Sequence, residues 1–209
     1  MVFEDITLST AYLPPVRYLA LIAKAGRVQI EMHENYIRQS YRNRCIIAGP
    51  NGKHSLVVPV LHGNSVKSPI GETQIDYSKR WIQVHIRAIE AAYRNSPFYQ
   101  FYADSIFSVI AGEHKYLTGL NSELLETILR LIQSDKKIEF TSSYVKNNAN
   151  DFRYTITPKR LGGSPPVNLT PYQQVFSERY DFIPDLSVID LLFNLGPRSA
   201  DYLNSAVLP

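Results

Sequence analysis

Apolar and polar positions alternate loosely from Phe3 to Ser9 and cleanly from Arg27 to Met32, where Val28, Ile30 and Met32 share one side. Both stretches predict strands, because successive side chains of an extended chain point to opposite faces. Between them, Val16 to Ala25 predicts a helix: Leu19, Ile22 and Ala23 fall on one face, and Gly26 stops it. Tyr12, Leu13, Pro14 and Pro15 end the first strand, since consecutive prolines cannot stay in a ladder. Strand, loop, helix, strand is the signature of a parallel βαβ unit, and such units bind ligands beyond the carboxyl ends of their strands. Two polar, aromatic stretches, Tyr12 to Tyr18 and His33 to Arg44, fall at those ends.

Cys45 to Ala48 and Leu56 to Val60 read as short apolar strands, joined through Gly49-Pro50-Asn51-Gly52 as a hairpin, with Pro59 marking an edge or a bulge. His62 to Gly71 reads as a connecting loop, with a lid as the alternative. Lys79 to Asn95 is a predicted helix whose stripe carries Trp81, His85, Ala88, Ile89 and Ala92, and His85 there reads as a satisfied core histidine. Ser96 and Pro97 look like the start of an aromatic helix (Phe98, Tyr99, Phe101, Tyr102, Phe107), and Asn121 like the cap of another, reaching about Gln133. Thr141 to Val167 is polar, with paired Gly and paired Pro. It reads as a linker, or as an ordered edge segment carrying Tyr154, Ile156 and Pro158. Thr170-Pro171 is expected to open a short helix, and Asp185 or Ser187 to cap the next, with capping-box spacing to Asp190 and a stop at Gly196-Pro197. The expected fold class is α/β: an opening βαβ unit and a mixed sheet with several packed helices, and a helical C-terminal half. The expected organisation is one domain over 1–209, strand-rich over 1–77 and helix-rich over 78–209.

Chemistry concentrates in Ile30 to Arg44, IEMHENYIRQSYRNR. A core strand could not hide Arg38, Arg42 and Arg44 without partners. Arginine offers forked donors that fit phosphate or carboxylate, and its plane stacks on aromatic rings, so the stretch points to an anionic, planar ligand. Residues 35–71 hold no acid but carry Arg38, Arg42, Arg44, Lys53 and Lys67, which makes the local potential positive unless acids elsewhere in the fold pair with them. The overall net charge of +3 argues against nucleic acid as the partner, although arginine and tyrosine together could stack on single strands. His33-Glu34 is the one acid/base-like pair, and its members cooperate only if the strand has already ended there.

The sequence holds no G-x-G-x-x-G, P-loop or G-x-S-x-G, and its histidines occur singly, so neither a cofactor nor a metal is expected. Cys45, the one cysteine, rules out an internal disulfide framework, fits a reducing cytoplasm, and reads as a small buried hydrophobe. No apolar run is long enough to span a bilayer, and MVFEDITLSTAYLPP, with two acids and no basic start, does not read as a secretory leader.

Several ordered motifs over nearly the whole chain resemble the WbqC-like protein family. They are STAYLPPVRYLALI, EMHENYIRQSYRNRC, NG and VPV, the Trp81 helix with SPFYQFY, NDFRYTITPK, and YQQVF followed by FIPDLSVIDLLFNLGP. The form here most resembles that of Bacteroides-like bacteria. Gly26 departs from the Asp many members carry there, and Pro15 from their Trp. The resemblance implies an intracellular bacterial protein linked to surface polysaccharide or O-antigen synthesis. Three readings follow. In the first, a transferase-like enzyme binds a nucleotide-activated sugar or similar anionic donor. Arg38, Arg42 and Arg44 take phosphates, Tyr36 and Tyr41 stack, Asn43 fixes hydroxyls, and Asn35 is a further ligand-binding residue. Tyr12, Arg17 and Tyr18 line the opposite wall, Arg153 or Lys159 arrives from the late segment, and His33 or Glu34 moves the proton. In the second, a non-catalytic assembly module uses the aromatics of Phe98 to Tyr102 against a protein partner. The third is single-stranded nucleic acid at the Arg/Tyr cluster.

Overall fold

The structure is a computed structural model that describes residues 3–61, 68–146, 148–158 and 167–207. Strand β1 (Phe3–Ser9), helix α1 (Val16–Lys24) and strand β2 (Ala25–Glu31) form the expected βαβ unit, with β1 and β2 parallel from Phe3↔Ala25 to Ser9↔Glu31. Ile6, Leu8, Val28 and Ile30 are all buried, which is the apolar half of each alternation. Helix α1 ends at Lys24 and Ala25 is already in the strand, so Gly26 lies inside β2 instead of closing the helix. A Cβ at Gly26 would stand 2.8 Å from the carbonyl oxygen of Glu4, so the close backbone approach there requires glycine.

A strand that the hydrophobic pattern did not announce, β5 (Ile138–Phe140), pairs parallel with β2. Its three residues are too few to show a period. The polar stretch after it is ordered where described. It crosses the carboxyl ends of β2 and β1 and joins the far side of β1, where Thr7 donates to Asn150 O (3.1 Å) and accepts from Phe152 N (2.9 Å). An edge segment therefore does form, but at residues 150–152 and not at Tyr154, Ile156 and Pro158, where the chain turns and bends; residues 147 and 159–166 lie outside the described residues.

The hairpin forms a second, antiparallel sheet of β3 (Arg44–Gly49) and β4 (Gly52–Val57). Gly52 has φ +96°, the left-handed conformation that the tight turn requires. Strand β4 starts earlier than its apolar residues suggest, and Pro59 lies beyond its end. Helices α2 (Trp81–Tyr93), α3 (Tyr99–Ala111), α4 (Leu117–Leu131), α5 (Val188–Leu195) and α6 (Ser199–Ser205) complete the α/β fold. His85 is buried, with Nδ1 2.8 Å from the Tyr12 hydroxyl and Nε2 3.2 Å from Val57 O, a satisfied core histidine.

Four expected helix starts differ. Helix α3 begins at Tyr99, not at Ser96-Pro97, and the buried Ser96 hydroxyl has no partner among the described residues. Asn121 lies inside α4 rather than capping it. Residues 171–174 have no regular structure and 175–179 form turns, so no helix follows Thr170-Pro171. Ser187 precedes α5, but its hydroxyl donates to Leu13 O (2.8 Å) instead of capping. Asp190, fully buried, accepts from Tyr172 Oη (2.6 Å) and Gln174 Nε2 (3.0 Å), which explains a carboxylate in an apolar helix. Gly196, at φ +55°, ends α5 as expected.

Candidate functional site

The carboxyl ends of β1, β2 and β5 converge on Ser9, Glu31 and Thr141, and the segment that crosses them brings Tyr144, Asp151, Arg153 and Tyr154 overhead. An open cleft of about 300 Å³ lies here, lined by His33, Asn35, Ile37, Tyr144 and Tyr154. Odd residues 33, 35 and 37 face the cleft, while Glu34 turns inward and is 1% exposed. The strand has ended at Glu31 and the chain bends over 32–34, yet its side chains still sort into cleft-facing and buried ones.

Close to the cleft, two buried arginines make three ion pairs. Arg42 Nε donates to Glu34 Oε1 (2.8 Å), and its Nη2 donates to Glu34 Oε2 (2.5 Å) and to Ser9 Oγ (2.6 Å). Arg153 forks onto Asp151 through Nε (2.9 and 3.1 Å) and Nη2 (2.6 Å), reaches Glu31 with Nη1 (3.2 Å) and donates to Val145 O (2.9 Å). Ser9 joins the pairs, since its hydroxyl also donates to Arg153 O (3.1 Å). Glu31 is fully buried and takes His33 N (2.8 Å), Thr141 Oγ1 (2.9 Å) and Val145 N (2.9 Å). Three carboxylates, Glu31, Glu34 and Asp151, therefore face two guanidiniums. Burial opposes the Asp151 charge, but its hydrogen bonds from Arg153 win, and its carboxyl titrates below the usual range. Arg153 titrates above its usual range, held there first by Asp151.

The anticipated residues separate into several groups. His33 and Asn35 line the cleft, and His33 Nε2 lies 3.0 Å from Thr141 O. If Nε2 carries the proton to that carbonyl, Nδ1 is left as a lone-pair acceptor. Glu34 and Arg42 hold each other in the interior, so neither faces the cleft with free valence. Tyr12, Tyr18 and Tyr41 are buried; Tyr18 Oη donates to Ser9 O (2.8 Å), and burial pushes all three phenols up. They belong to the core, Tyr12 packing against Trp81 and His85, and offer no surface to stack on a ligand. Asn43 is buried, its amide donating to Val58 O (2.9 Å). Arg17 pairs with Asp185 (2.6 Å) and donates to Val167 O (3.0 Å), which ties α1 to the late chain. Arg153 is the buried hub above. Tyr36 is half-buried with Arg44 and Arg38 nearby; burial raises its phenol and those cations offset part of the rise. Arg38 is exposed, and Arg44 keeps a buried Nε without a partner among the described residues. Lys159 lies outside the described residues.

Sequence reasoning missed Glu31, Asp151, Tyr144 and Asn121. Asn121 Nδ2 reaches from α4 to Arg42 O (2.8 Å) and Thr10 Oγ1 (3.0 Å), clamping the loop that presents Arg42. No local pattern signals such long-range partners. A buried acid such as Glu31 at a strand end was the one available clue, because an apolar strand does not end on a carboxylate without a cation near it. Among the described residues no group of three or more His, Cys, Asp or Glu is placed to hold a metal. No described helix is long and apolar enough to cross a membrane.

Fold and site together define an α/β protein whose cleft sits over the carboxyl ends of a parallel sheet, on a floor of paired arginines and carboxylates. The chain belongs to the WbqC-like protein family, whose profile matches residues 10–170. It is also similar to the uncharacterized protein Rv1507c of Mycobacterium tuberculosis, with 27% identity over 218 residues, covering 92% of this chain and 94% of that relative. No solved structure matches.

Proposed function

We propose that this chain, folded as one domain, is a transferase-like protein of bacterial surface polysaccharide or O-antigen synthesis. It binds a nucleotide-activated sugar or similar anionic donor at the cleft. Its likeness to the form in Bacteroides-like bacteria belongs to the same reading. The observation that carries the proposal is the position of the cleft: an exposed histidine and two half-exposed tyrosines meet where a parallel sheet ends, the position α/β folds use for ligands. His33, with Nε2 directed at Thr141 O, is the proton acceptor. Arg38 and Arg44, the arginines of this stretch without a carboxylate partner among the described residues, serve the anionic group. Glu34, Arg42, Arg153 and Asn121 position the walls.

The test is a thermal-shift and titration series with nucleotides and nucleotide-sugars. A ligand that binds only the folded state at a hundredfold excess over Kd adds about 2.7 kcal/mol of stability. A stabilising nucleotide-sugar whose effect is lost in Arg44→Ala supports the reading. A flat response across the series, with the protein folded and monodisperse, refutes it.

A second reading, an assembly module, is favoured by one observation: Phe101 on α3 is 64% exposed, unlike its partly buried neighbours Tyr99 and Tyr102. Co-purification of a stoichiometric partner that Phe101→Asp abolishes supports this reading over the first.

A further inference from the structure

Among the described residues, no Arg or Lys lines the cleft. The guanidinium that lies against the cleft's tyrosines, Arg153, is closed to a ligand, because its side chain is 1% exposed and its donors are taken by Asp151, Glu31 and Val145 O. Its planar group lies 5.0 Å from the Tyr144 ring centroid and 5.7 Å from that of Tyr154. Arg153 is thus a pedestal: pinned from below, it fixes two aromatic rings that remain 44% and 48% exposed. Rings held this way cost little entropy to dock against. Among the described residues the buried groups here, three carboxylates against two guanidiniums, offer an anion no uncompensated positive charge. The volume, about 300 Å³, is at the lower end of small-molecule sites, enough for one ring and not for a nucleotide together with a sugar. The lining is also polar. Asn35 and His33 offer donors and acceptors, each tyrosine adds a hydroxyl, and Ile37 is the one aliphatic side chain among these lining residues.

From this juxtaposition we infer that Tyr144 and Tyr154, on their Arg153 pedestal, form a subsite for an uncharged, hydroxyl-bearing ring. The ring lies against the tyrosines with its hydroxyls toward Asn35 and His33, and any phosphate of the ligand stays outside the cleft. The inference deepens the activated-sugar reading by assigning the sugar ring, not the phosphate, to the cleft. It rests on that reading for the identity of the whole ligand but not for the chemistry of the subsite.

The experiment is ligand-observed saturation-transfer NMR with titration, using the full chain. Three kinds of probe are compared: neutral methyl glycosides (of glucose, galactose, mannose, rhamnose and N-acetylglucosamine), inorganic pyrophosphate, and the corresponding nucleotide-sugars. The proteins are wild type, Tyr154→Leu, Tyr144→Leu and Tyr154→Phe, with melting temperatures confirming that each is folded. The expected result is transfer to the ring protons of at least one methyl glycoside. Its affinity falls roughly tenfold in either leucine variant and survives in Tyr154→Phe, as a lost aromatic face predicts. That affinity is insensitive to salt, as befits a neutral ligand. Glycoside binding with this dependence but no nucleotide-sugar binding sustains the subsite and overturns the donor reading. Nucleotide-sugar binding unchanged in both leucine variants overturns the subsite and leaves the donor reading standing. Pyrophosphate binding that the leucine variants abolish, or no tyrosine-dependent binding by any methyl glycoside, also overturns the subsite.

Discussion

Removing the Glu34 carboxylate is the most demanding test of the site's architecture. In Glu34→Ala the Arg42 guanidinium stays where it is, 4% exposed, and loses its acceptors at 2.8 and 2.5 Å; only Ser9 Oγ at 2.6 Å remains. Breaking a buried pair from one side leaves an uncompensated charge, which costs about 3–5 kcal/mol. At an m-value of about 2.5 kcal/mol per M, the urea midpoint falls by about 1 to 2 M. The exposed pair Arg27–Glu139, with side chains 52% and 47% exposed, is the internal control, and Glu139→Ala should leave the midpoint within experimental scatter. Removing both buried partners together, as Glu34→Leu with Arg42→Met, leaves no orphan charge and should cost less than either single change. Chemical unfolding followed by circular dichroism reads the wild type, Glu34→Ala, Glu139→Ala, the double variant and its two single changes, Glu34→Leu and Arg42→Met. A Glu34→Ala midpoint indistinguishable from wild type would refute the reasoning. So would a double variant as destabilised as the sum of the single ones.

Three further outcomes are expected. Burial lowers the His85 pKa to about 4 from its ordinary value near 6.5, so the unfolded chain binds the extra proton first. The stability this group contributes is present above about pH 6.5 and is lost as pH falls toward about 4. His85→Gln should flatten up to about 3 kcal/mol of that slope in a pH series of urea midpoints, and an unchanged slope would exclude the neutral core histidine. Asp190 has the opposite sign: burial, its largest influence, holds its carboxyl above the usual range despite the Tyr172 and Gln174 bonds. Its contribution is therefore present at acid pH and lost as pH rises through the raised value, so Asp190→Asn should lose less stability on going from acid to neutral pH than wild type does. Gly26→Ala places a methyl 2.8 Å from Glu4 O and should cost about 1–3 kcal/mol by thermal unfolding, while Gly71→Ala, whose nearest atom is at 3.3 Å, should cost less.

The opening βαβ unit and the hairpin were legible because each is written locally, as an alternation, a helical stripe or a Gly-Pro-Asn-Gly turn. Strand β5 was not, because Ile138–Phe140 gains its identity from the ladder with Val28–Ile30, over 100 residues away. Asn121 has the composition of a cap, and only the neighbouring loop shows that its amide works inside the helix, on Arg42 O. The stretch Ile30–Arg44 stands out for its charge and reads as a ligand site; in the fold, Arg42 is satisfied by Glu34 of the same stretch. Which partners its charges take could not be read from it. Glu34 and Arg42 are eight positions apart and satisfy each other, while Arg153 and Glu31 are 122 apart. Free cations and paired ones look identical along a chain.

The strap that runs from β5 to the outer side of β1 has a consequence for motion. The cleft's two walls are laid down more than 100 residues apart, and the second wall is fastened by bonds to Glu31, Ser9, Thr7 and Asp5 rather than by a continuous ladder. Releasing those few fastenings would erase the cleft while β1, β2 and α1 keep their hydrogen bonds. Amide exchange at Val145, Phe152 and Arg153 should therefore run through a smaller opening than exchange at Ile6 or Ile30, and a ligand seated on the strap should slow the first set alone. In this protein, losing the site and losing the fold would be separate events.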